Sequence, residues 1–260
     1  MVHQKFINQV VEKIKTDEQV IGLAAGGSFI DQSMDEFSDL DLVLITTHKI
    51  APDADKMLHY AGQLGNLLNG FTGEHVGERR LLICLYDDPL LHVDIKFLTI
   101  DEFSERVENP VVLWERDGQM TAVLESTPYH YPYPDYQWIE DRFWTWIHYA
   151  TLKIGRGELF EALDFTSFLR VIVISSLLQI KNGRLPRALR KVETGLEASD
   201  FEKLKETVAS YDKASVTGSL EKMIVLYLEL RKELFPESIV LRKETEEKCM
   251  AYFREIKNRV

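Results

Sequence analysis

The most informative segment of the sequence is GGSFIDQSMDEFSDLDLVLI, residues 26–45. Just before it, VIGLAAG (20–26) is a short apolar run that ends in glycine, which is typical of a buried strand. Residues 39–46 then alternate charged and aliphatic side chains, and such alternation predicts a second strand. The pattern therefore indicates two strands that are joined by a Gly-Ser turn and a short polar connection.

The polar residues of this stretch suggest a site for a metal ion and phosphate. Asp39 and Asp41 lie two residues apart on the predicted strand, so their carboxylates point to the same face, with Cα atoms roughly 6–7 Å apart. Two such carboxylates can share Mg²⁺, which typically uses one or two carboxylates together with substrate phosphates. Gly27 lets backbone N–H groups approach phosphate oxygens without an intervening Cβ, and Ser28 adds a hydroxyl.

The flanking sequence predicts a mixed module of helices and strands. Apolar residues at helical spacing predict helices over 2–16 and 53–68. Further strands are expected at 70–76, 79–86 and 91–99. The turn signal Asp87-Asp88-Pro89 separates the last two, which should form a hairpin. Residues 101–134 are mixed and end in prolines that exclude a regular helix.

From residue 136 onward the apolar residues follow helical spacing, and five helices are predicted. Their expected ends are marked by Gly155, Gly157 and Gly183, and their expected N-caps are Ser199-Asp200 and Thr217. The chain is therefore predicted to be α+β, with an α/β module at 1–134, a helical bundle at 135–260 and a boundary near Pro134.

The negative charge is confined to one half of the sequence. Residues 1–134 carry 22 acidic and 10 basic side chains, a net of −12, whereas residues 135–260 carry 20 and 21, a net of +1. A protein that grips a polynucleotide needs clustered Lys and Arg, so no nucleic-acid partner is expected. A cationic or metal-bound ligand is easier to accommodate.

The remaining composition predicts a cytoplasmic protein. Cys84 and Cys249 are far apart and form no CxxC pattern, so buried thiols are expected. The N-terminal residues lack the apolar block of a signal peptide, and no apolar run reaches the roughly 20 residues of a membrane span. No membrane partner is expected, and both a monomer and a homodimer are compatible with the sequence.

The order Gly27-Ser28, ten residues, then Asp39-Leu40-Asp41 in an aliphatic strand resembles the signature of the DNA polymerase β-like nucleotidyltransferase superfamily. The third carboxylate of that family lies on a later strand, and Asp94 in His92-Val93-Asp94-Ile95 matches this place. The resemblance covers residues 20–99. It implies that Asp39, Asp41 and Asp94 hold Mg²⁺ or Mn²⁺ and that ATP or another NTP is the co-substrate.

Three acidic or basic groups remain alternatives for the general base of such a reaction. Asp94 is the first candidate, because a carboxylate beside the reacting hydroxyl can accept its proton. His92 shares the strand face of Asp94, and Glu158 lies at a predicted helix junction. A surface or core histidine and a dipole-favoured helix-start glutamate are the plainer interpretations of these last two.

In the helical half, the resemblance to the antibiotic-modifying branch of the family implies that Lys153 reaches the triphosphate, with Arg156 as a potential partner of the same phosphates. A set of aromatic residues is interpreted as mainly core, with one or two members in an acceptor pocket: Trp138, Phe143, Trp144, Trp146 and Tyr149. Glu74 and Glu78 fit either a contact with a cationic acceptor or a solvated hairpin.

The resemblance implies transfer of a nucleoside monophosphate, AMP from ATP, to a hydroxyl of a small molecule such as an aminoglycoside or lincosamide. Aminoglycosides are polycations, which an acidic module attracts. Two alternatives are a non-catalytic nucleotide-binding regulator and an adenylyltransferase that modifies proteins. The regulator is disfavoured because all three carboxylates are present, whereas the protein-modifying enzyme would use the same residues.

Overall fold

The computed structural model describes residues 2–260, which form two compact units, Met1–Pro132 and Tyr133–Val260. The first unit contains a mixed six-stranded sheet with helices, and the elements of the second are helices. The predicted α+β class is confirmed.

The first unit alternates strands and helices in the order α1 Val2–Ile14, β1 Val20–Ala25, β2 Leu40–Thr46, α2 Ala54–Leu64, β3 Asn66–Gly73, β4 Glu78–Asp87, β5 Leu91–Leu98, α3 Ile100–Phe103, β6 Val111–Glu115 and α4 Gln119–Ser126. The strand order across the sheet is β3-β4-β5-β2-β1-β6. The central strands β2 and β5 run parallel, and every other neighbouring pair is antiparallel. The predicted β4–β5 hairpin is confirmed.

The two faces of this sheet are covered unequally. The larger core lies on one face, where α1 and α2 bury residues such as Val10 and Met57 against Leu42. On the other face a smaller core includes Ile45 and is closed by residues of α3 and α4. Asp41 lies on this second face, because strand residues alternate and Asp41 is four residues before Ile45.

The predicted helix over 53–68 is too long at its C-terminal end. The helix α2 stops at Leu64, and the chain enters β3 at Asn66 through Gly65. A Cβ on Gly65 would lie 2.9 Å from Cδ1 of Tyr86, so the backbone passes close to β4 there. The hydrogen-bonded pairing of β3 with β4 overrides the local helical spacing. The strand predicted at 70–76 is consequently 66–73, followed by a 3₁₀ turn at Glu74–Val76.

The second unit contains α5 Tyr136–Arg156, α6 Leu159–Leu169, α7 Ser175–Lys181, α8 Val192–Gly195, α9 Ala198–Lys205, α10 Lys213–Leu234 and α11 Lys243–Lys257. A π-helical turn, Arg170–Ile174, joins α6 to α7 without a break. One core, which includes Phe143, Trp144 and Tyr227, is shared by these helices. Each of the five predicted helical stretches contains helix.

The glycines mark helix ends only in part. Gly157 follows α5 with a φ of 76° and donates its N–H to Ile154, as expected of a left-handed C-cap. Gly183, with a φ of 67°, comes just after α7. The expectation for Gly155 is wrong, because this residue lies inside α5.

Both predicted N-caps are wrong. Thr217 lies inside α10, which starts earlier because Asp212 accepts a hydrogen bond of 2.8 Å from the N–H of Ser215. Ser199-Asp200 lie in the first turn of α9, whose N-cap position is Glu197. The buried carboxylate of Asp200 forms an ion pair of 2.7 Å with Lys181 instead.

A buried ionic network ties three parts of the second unit together. Glu140 on α5 is completely buried and accepts hydrogen bonds from the Tyr227 hydroxyl at 2.6 Å and from Arg231 at 3.3 Å, both on α10. The backbone N–H of Arg242, just before α11, donates to the same carboxylate at 2.9 Å. Because these groups are enclosed together, removal of one of them would leave the others without a buried partner, which is strongly destabilising.

One helix is long and apolar enough to cross a membrane by length and composition. It spans Leu159–Lys181, with a mean hydropathy of 1.6 in its most apolar window. Half of that window is buried inside the protein, as is usual for the core helix of a water-soluble domain. We therefore interpret it as a core helix.

Candidate functional site

The parallel pairing of β2 with β5 brings two of the predicted acids side by side. Asp41 and Asp94 are register partners, flanked by the paired core residues Leu40 and Val93. Register partners on neighbouring strands point to the same face, with their strands roughly 4.8 Å apart. Both side chains are half-buried. The structure thus creates a close pair of carboxylates from residues that are 53 positions apart in the sequence.

Asp39 stands just outside this strand pairing. It precedes the first residue of β2 and is half-buried. Within residues 2–260, no group of three or more His, Cys, Asp or Glu side chains is arranged to hold a metal ion. The role of Asp39 as a metal ligand therefore stays a prediction. Two carboxylates fit Mg²⁺ or Mn²⁺ nevertheless, because substrate phosphates commonly complete the coordination of such ions.

The loop at Gly26-Gly27-Ser28 lies directly against Asp41. The N–H of Gly26 donates to the backbone oxygen of Asp41 at 2.8 Å. Gly27 has a φ of 56°, and a Cβ built on it would lie 2.0 Å from Oδ2 of Asp41. The hydroxyl of Ser28 has no hydrogen-bond partner among residues 2–260. Only glycine fits at position 27, and the next residue of the loop carries a hydroxyl that is available to a ligand.

His92 contacts the carboxylate that is the first candidate for the general base. Its Nε2 lies 2.9 Å from Oδ1 of Asp94, and its side chain is 52% exposed against 20% for that of Asp94. A histidine in this position can orient the carboxylate or take up a proton from it. The two candidate general bases, Asp94 and His92, are therefore in contact, and both stay candidates.

Glu108 belongs to this site but was not identified from the sequence. Its Oε1 accepts a hydrogen bond of 3.1 Å from the N–H of Gly27, across 81 positions of sequence. The contact arises because β6 pairs with β1, which sets Val111 beside Ala25 and brings the residues before β6 next to the loop. No local pattern around Glu108 indicates this role, since it depends on the pairing of an edge strand.

Lys153, predicted to reach a triphosphate, forms ion pairs within the helical unit. Its Nζ lies 2.7 Å from Glu158 and 2.9 Å from Glu161, and these hydrogen bonds, first that of Glu158, raise the pKa of Lys153. Arg156 also approaches Glu158, at 3.7 Å. An ammonium group has three donors, so these pairs leave room for a further acceptor. The roles of Lys153, Arg156 and Glu158 towards a nucleotide stay predictions.

An open pocket of about 340 Å³ on the helical unit combines aromatic and acidic side chains. It is lined by Trp146, Tyr149, Glu161, Asp164, Phe165 and Phe168. The Tyr149 hydroxyl donates to Glu161, whereas the exposed carboxylate of Asp164 forms no hydrogen bond or ion pair within residues 2–260. Aromatic faces next to an unpaired carboxylate are suited to an amine or ammonium group.

The predicted aromatic set divides between core and surface. Phe143 and Trp144 are buried in the core of the helical unit. Trp146 and Tyr149 line the aromatic-acidic pocket, and Trp138 packs edge-on against Trp146 with ring centroids 5.4 Å apart. Phe143 and Trp144 are core residues, as expected, and the role of Trp146 and Tyr149 in an acceptor pocket stays a prediction.

The acidic residues near β4 are already engaged. Glu78 lies 2.8 Å from both Arg80 and Lys96, and the hydrogen bond from Arg80 is the main cause that lowers its pKa to about 2. A hydrogen bond from Thr72 lowers the pKa of the exposed Glu74. Glu78 is therefore neutralised by its own neighbours, and the cationic-acceptor alternative loses support at this residue.

Comparison with known proteins gives a likeness among solved structures and none among sequences or family models. No family model matches the chain, and no curated protein sequence matches it. Among solved structures, the chain is similar to an aminoglycoside 6-adenyltransferase from Bacillus subtilis, with 17% sequence identity and a TM-score of 0.40 over 98% of each chain. That protein is a nucleotidyltransferase of the antibiotic-modifying kind. A likeness of this size carries no argument about residues or substrates, which depend on the geometry above.

Proposed function

We propose that this protein is a metal-dependent nucleotidyltransferase that moves a nucleoside monophosphate, AMP from ATP, to a hydroxyl of a small amine-bearing molecule. The observation that carries the proposal is the pairing of Asp41 with Asp94 directly beside the Gly27-Ser28 loop. Two carboxylates and a close-approach glycine loop are what a metal-bound triphosphate requires. If Asp41 simply lay on a solvent-exposed strand face without a function, there would be no reason for its carboxylate to leave no room for a side chain at position 27.

The residues of this site would divide the work of an in-line phosphoryl transfer. Asp41 and Asp94, with Asp39, would hold Mg²⁺ or Mn²⁺, which neutralises charge on the triphosphate. Ser28 donates its hydroxyl to a phosphate oxygen. Asp94, backed by His92, accepts the proton of the acceptor hydroxyl. The acceptor oxygen then bonds to the α-phosphorus while the bond from that phosphorus to the bridging oxygen breaks, and pyrophosphate leaves.

The helical unit carries the surface that we assign to the amine of the acceptor. In the aromatic-acidic pocket, Asp164 offers an unpaired carboxylate beside the rings of Trp146 and Phe168, which pack edge to face with centroids 5.4 Å apart. Cation–π contact and charge pairing together favour a ligand with a protonated amine. The net charge of −12 on residues 1–134 attracts such a ligand over a longer range.

The central experiment follows the label from α-³²P-ATP with Mg²⁺ to a panel of aminoglycosides, lincosamides, uncharged sugars and purified proteins. We expect labelling of an amine-bearing small molecule, and loss of it in Asp94→Asn. Asp55→Asn, an exposed acid on α2, is the matched control and should label normally. Labelling of proteins alone would indicate the protein-modifying alternative. Nucleotide binding without any labelled acceptor would leave a regulator and contradict the enzyme.

The acceptor pocket is tested separately once an acceptor is known. Asp164→Asn should raise the KM for that acceptor by roughly tenfold and leave the KM for ATP unchanged, because the lost pairing concerns the amine alone. Glu237→Gln removes another exposed carboxylate from the same unit and serves as the control. Equal KM values in all three proteins would exclude this pocket as the amine site.

A further inference from the structure

We propose that Glu108 is a specificity-determining residue that makes this protein select metal-bound over metal-free nucleotide. Its carboxylate accepts a hydrogen bond from the N–H of Gly27, and the backbone N–H groups of such a glycine loop are donors suited to phosphate oxygens. This inference rests on the proposed function, because it concerns how the same loop admits a triphosphate.

The contact places Glu108 against both glycines of the loop. Besides the 3.1 Å hydrogen bond to the N–H of Gly27, its Oε1 lies 3.4 Å from the position that a Cβ on Gly26 would take. Asp41 approaches the same Gly27 from its Cβ side. The carboxylates of Glu108 and Asp41 therefore both lie against Gly27, and Asp94 is beside Asp41 on the neighbouring strand.

The segment that carries Glu108 is anchored on both sides. Val111 pairs with Ala25 where β6 begins, three residues after Glu108. Before it, the guanidinium of Arg106 donates to Asn109 Oδ1 at 2.7 Å and to Thr127 Oγ1 at 2.6 Å. The chain on both sides of Glu108 is thus held by strand pairing and by hydrogen bonds.

The competition between carboxylate and phosphate has a direct electrostatic consequence. A metal-free triphosphate that enters the loop must displace one anion from the N–H of Gly27 and approach two more, Asp41 and Asp94. A divalent cation bound by the strand pair offsets that repulsion for the metal-bound nucleotide. Removing the charge of Glu108 should therefore help the metal-free nucleotide much more than the metal-bound one. Repulsion between the Glu108 carboxylate and one phosphate charge, close together in a half-buried site, corresponds to about a tenfold change in nucleotide affinity.

The test measures binding of an ATP analogue whose α- and β-phosphates are joined by a methylene group, by calorimetry on the full chain. Titrations are made with Mg²⁺ and with a chelator. Glu108→Gln keeps an oxygen for the N–H of Gly27 but removes the charge. Glu105→Gln, an exposed acid of the same segment, changes the net charge equally and is the matched control.

We expect Glu108→Gln to bind the metal-free analogue about tenfold more tightly than the wild type, with a change of less than about threefold in Mg²⁺. Glu105→Gln should behave as the wild type in both titrations. Equal or weaker metal-free binding by Glu108→Gln would overturn the inference while leaving the proposed function intact, and so would an equal gain in Glu105→Gln. If none of the three proteins binds the analogue with Mg²⁺, the proposed function fails and the inference with it.

Discussion

Substitution of Gly27 by alanine gives a sharp test of how the loop and the carboxylate pair fit together. The residue has a φ of 56°, and the added Cβ would lie 2.0 Å from Oδ2 and 3.0 Å from Cγ of Asp41. Ordinary van der Waals contact begins at about 3.4 Å, so the Asp41 carboxylate must move by more than an ångström. The substitution should therefore disturb both the stability of the first unit and the position of a predicted metal ligand.

The expected cost has two separable parts. A left-handed backbone costs a non-glycine residue about 1–2 kcal/mol. The overlap with Asp41 adds about 1–2 kcal/mol of overpacking, since an aspartate side chain is short and can only partly turn away. Gly77→Ala is the matched control, because its φ is 80° and no atom lies within 4 Å of the added Cβ. We expect Gly27→Ala to lower the free energy of unfolding by about 2–4 kcal/mol and the control to lower it by about 1–2 kcal/mol.

The assay is urea unfolding of both variants, repeated in an Asp41→Ala background. Removal of the Asp41 carboxylate removes the overlap, so Gly27→Ala should then cost no more than Gly77→Ala does, as in a double-mutant cycle. Binding of the ATP analogue in Mg²⁺ should weaken at least tenfold in Gly27→Ala and stay unchanged in Gly77→Ala. Equal unfolding costs for the two variants, with normal binding in both, would refute the close contact between the loop and Asp41.

Two further predictions concern stability. Glu140→Ala should lower the free energy of unfolding by about 3–5 kcal/mol, because the Tyr227 hydroxyl and the N–H of Arg242 lose their buried acceptor and Arg231 keeps only Glu246 as an ionic partner. Asp141→Ala removes an exposed ion pair with Arg242 and should cost much less; urea unfolding measures both variants, and equal costs would contradict the buried network. A hydrogen bond from Arg80 is the main cause that lowers the pKa of Glu78 to about 2 in the folded protein, against 4.5 for the unperturbed group. Ionised Glu78 therefore stabilises the fold fully above pH 4.5, and this stabilisation is lost as the pH falls towards 2. Unfolding measured from pH 5 to 2 should show a smaller loss of stability in Glu78→Gln than in the wild type, and parallel curves would exclude this contribution.

Local pattern was sufficient for much of the first unit. The alternation of Leu40, Asp41 and Leu42 predicted β2, and the turn at Asp87-Asp88-Pro89 predicted the hairpin that follows. Both features depend on interactions within a few residues, so the sequence carries them directly. The start of β3 could not be predicted in this way. The apolar residues there have helical spacing, but pairing with β4 makes the segment a strand.

Glycine, serine and aspartate at this spacing suit a metal-bound phosphate by their own chemistry, so the candidate residues could be named before the fold was known. The folded chain was needed to show that Asp94 is the register partner of Asp41 and that Glu108 reaches the N–H of Gly27. It was also needed to show that Lys153 pairs with glutamates of its own unit. Strand pairing and helix packing bring these residues together, and the energy of such contacts depends on the whole fold and not on any short segment of the sequence.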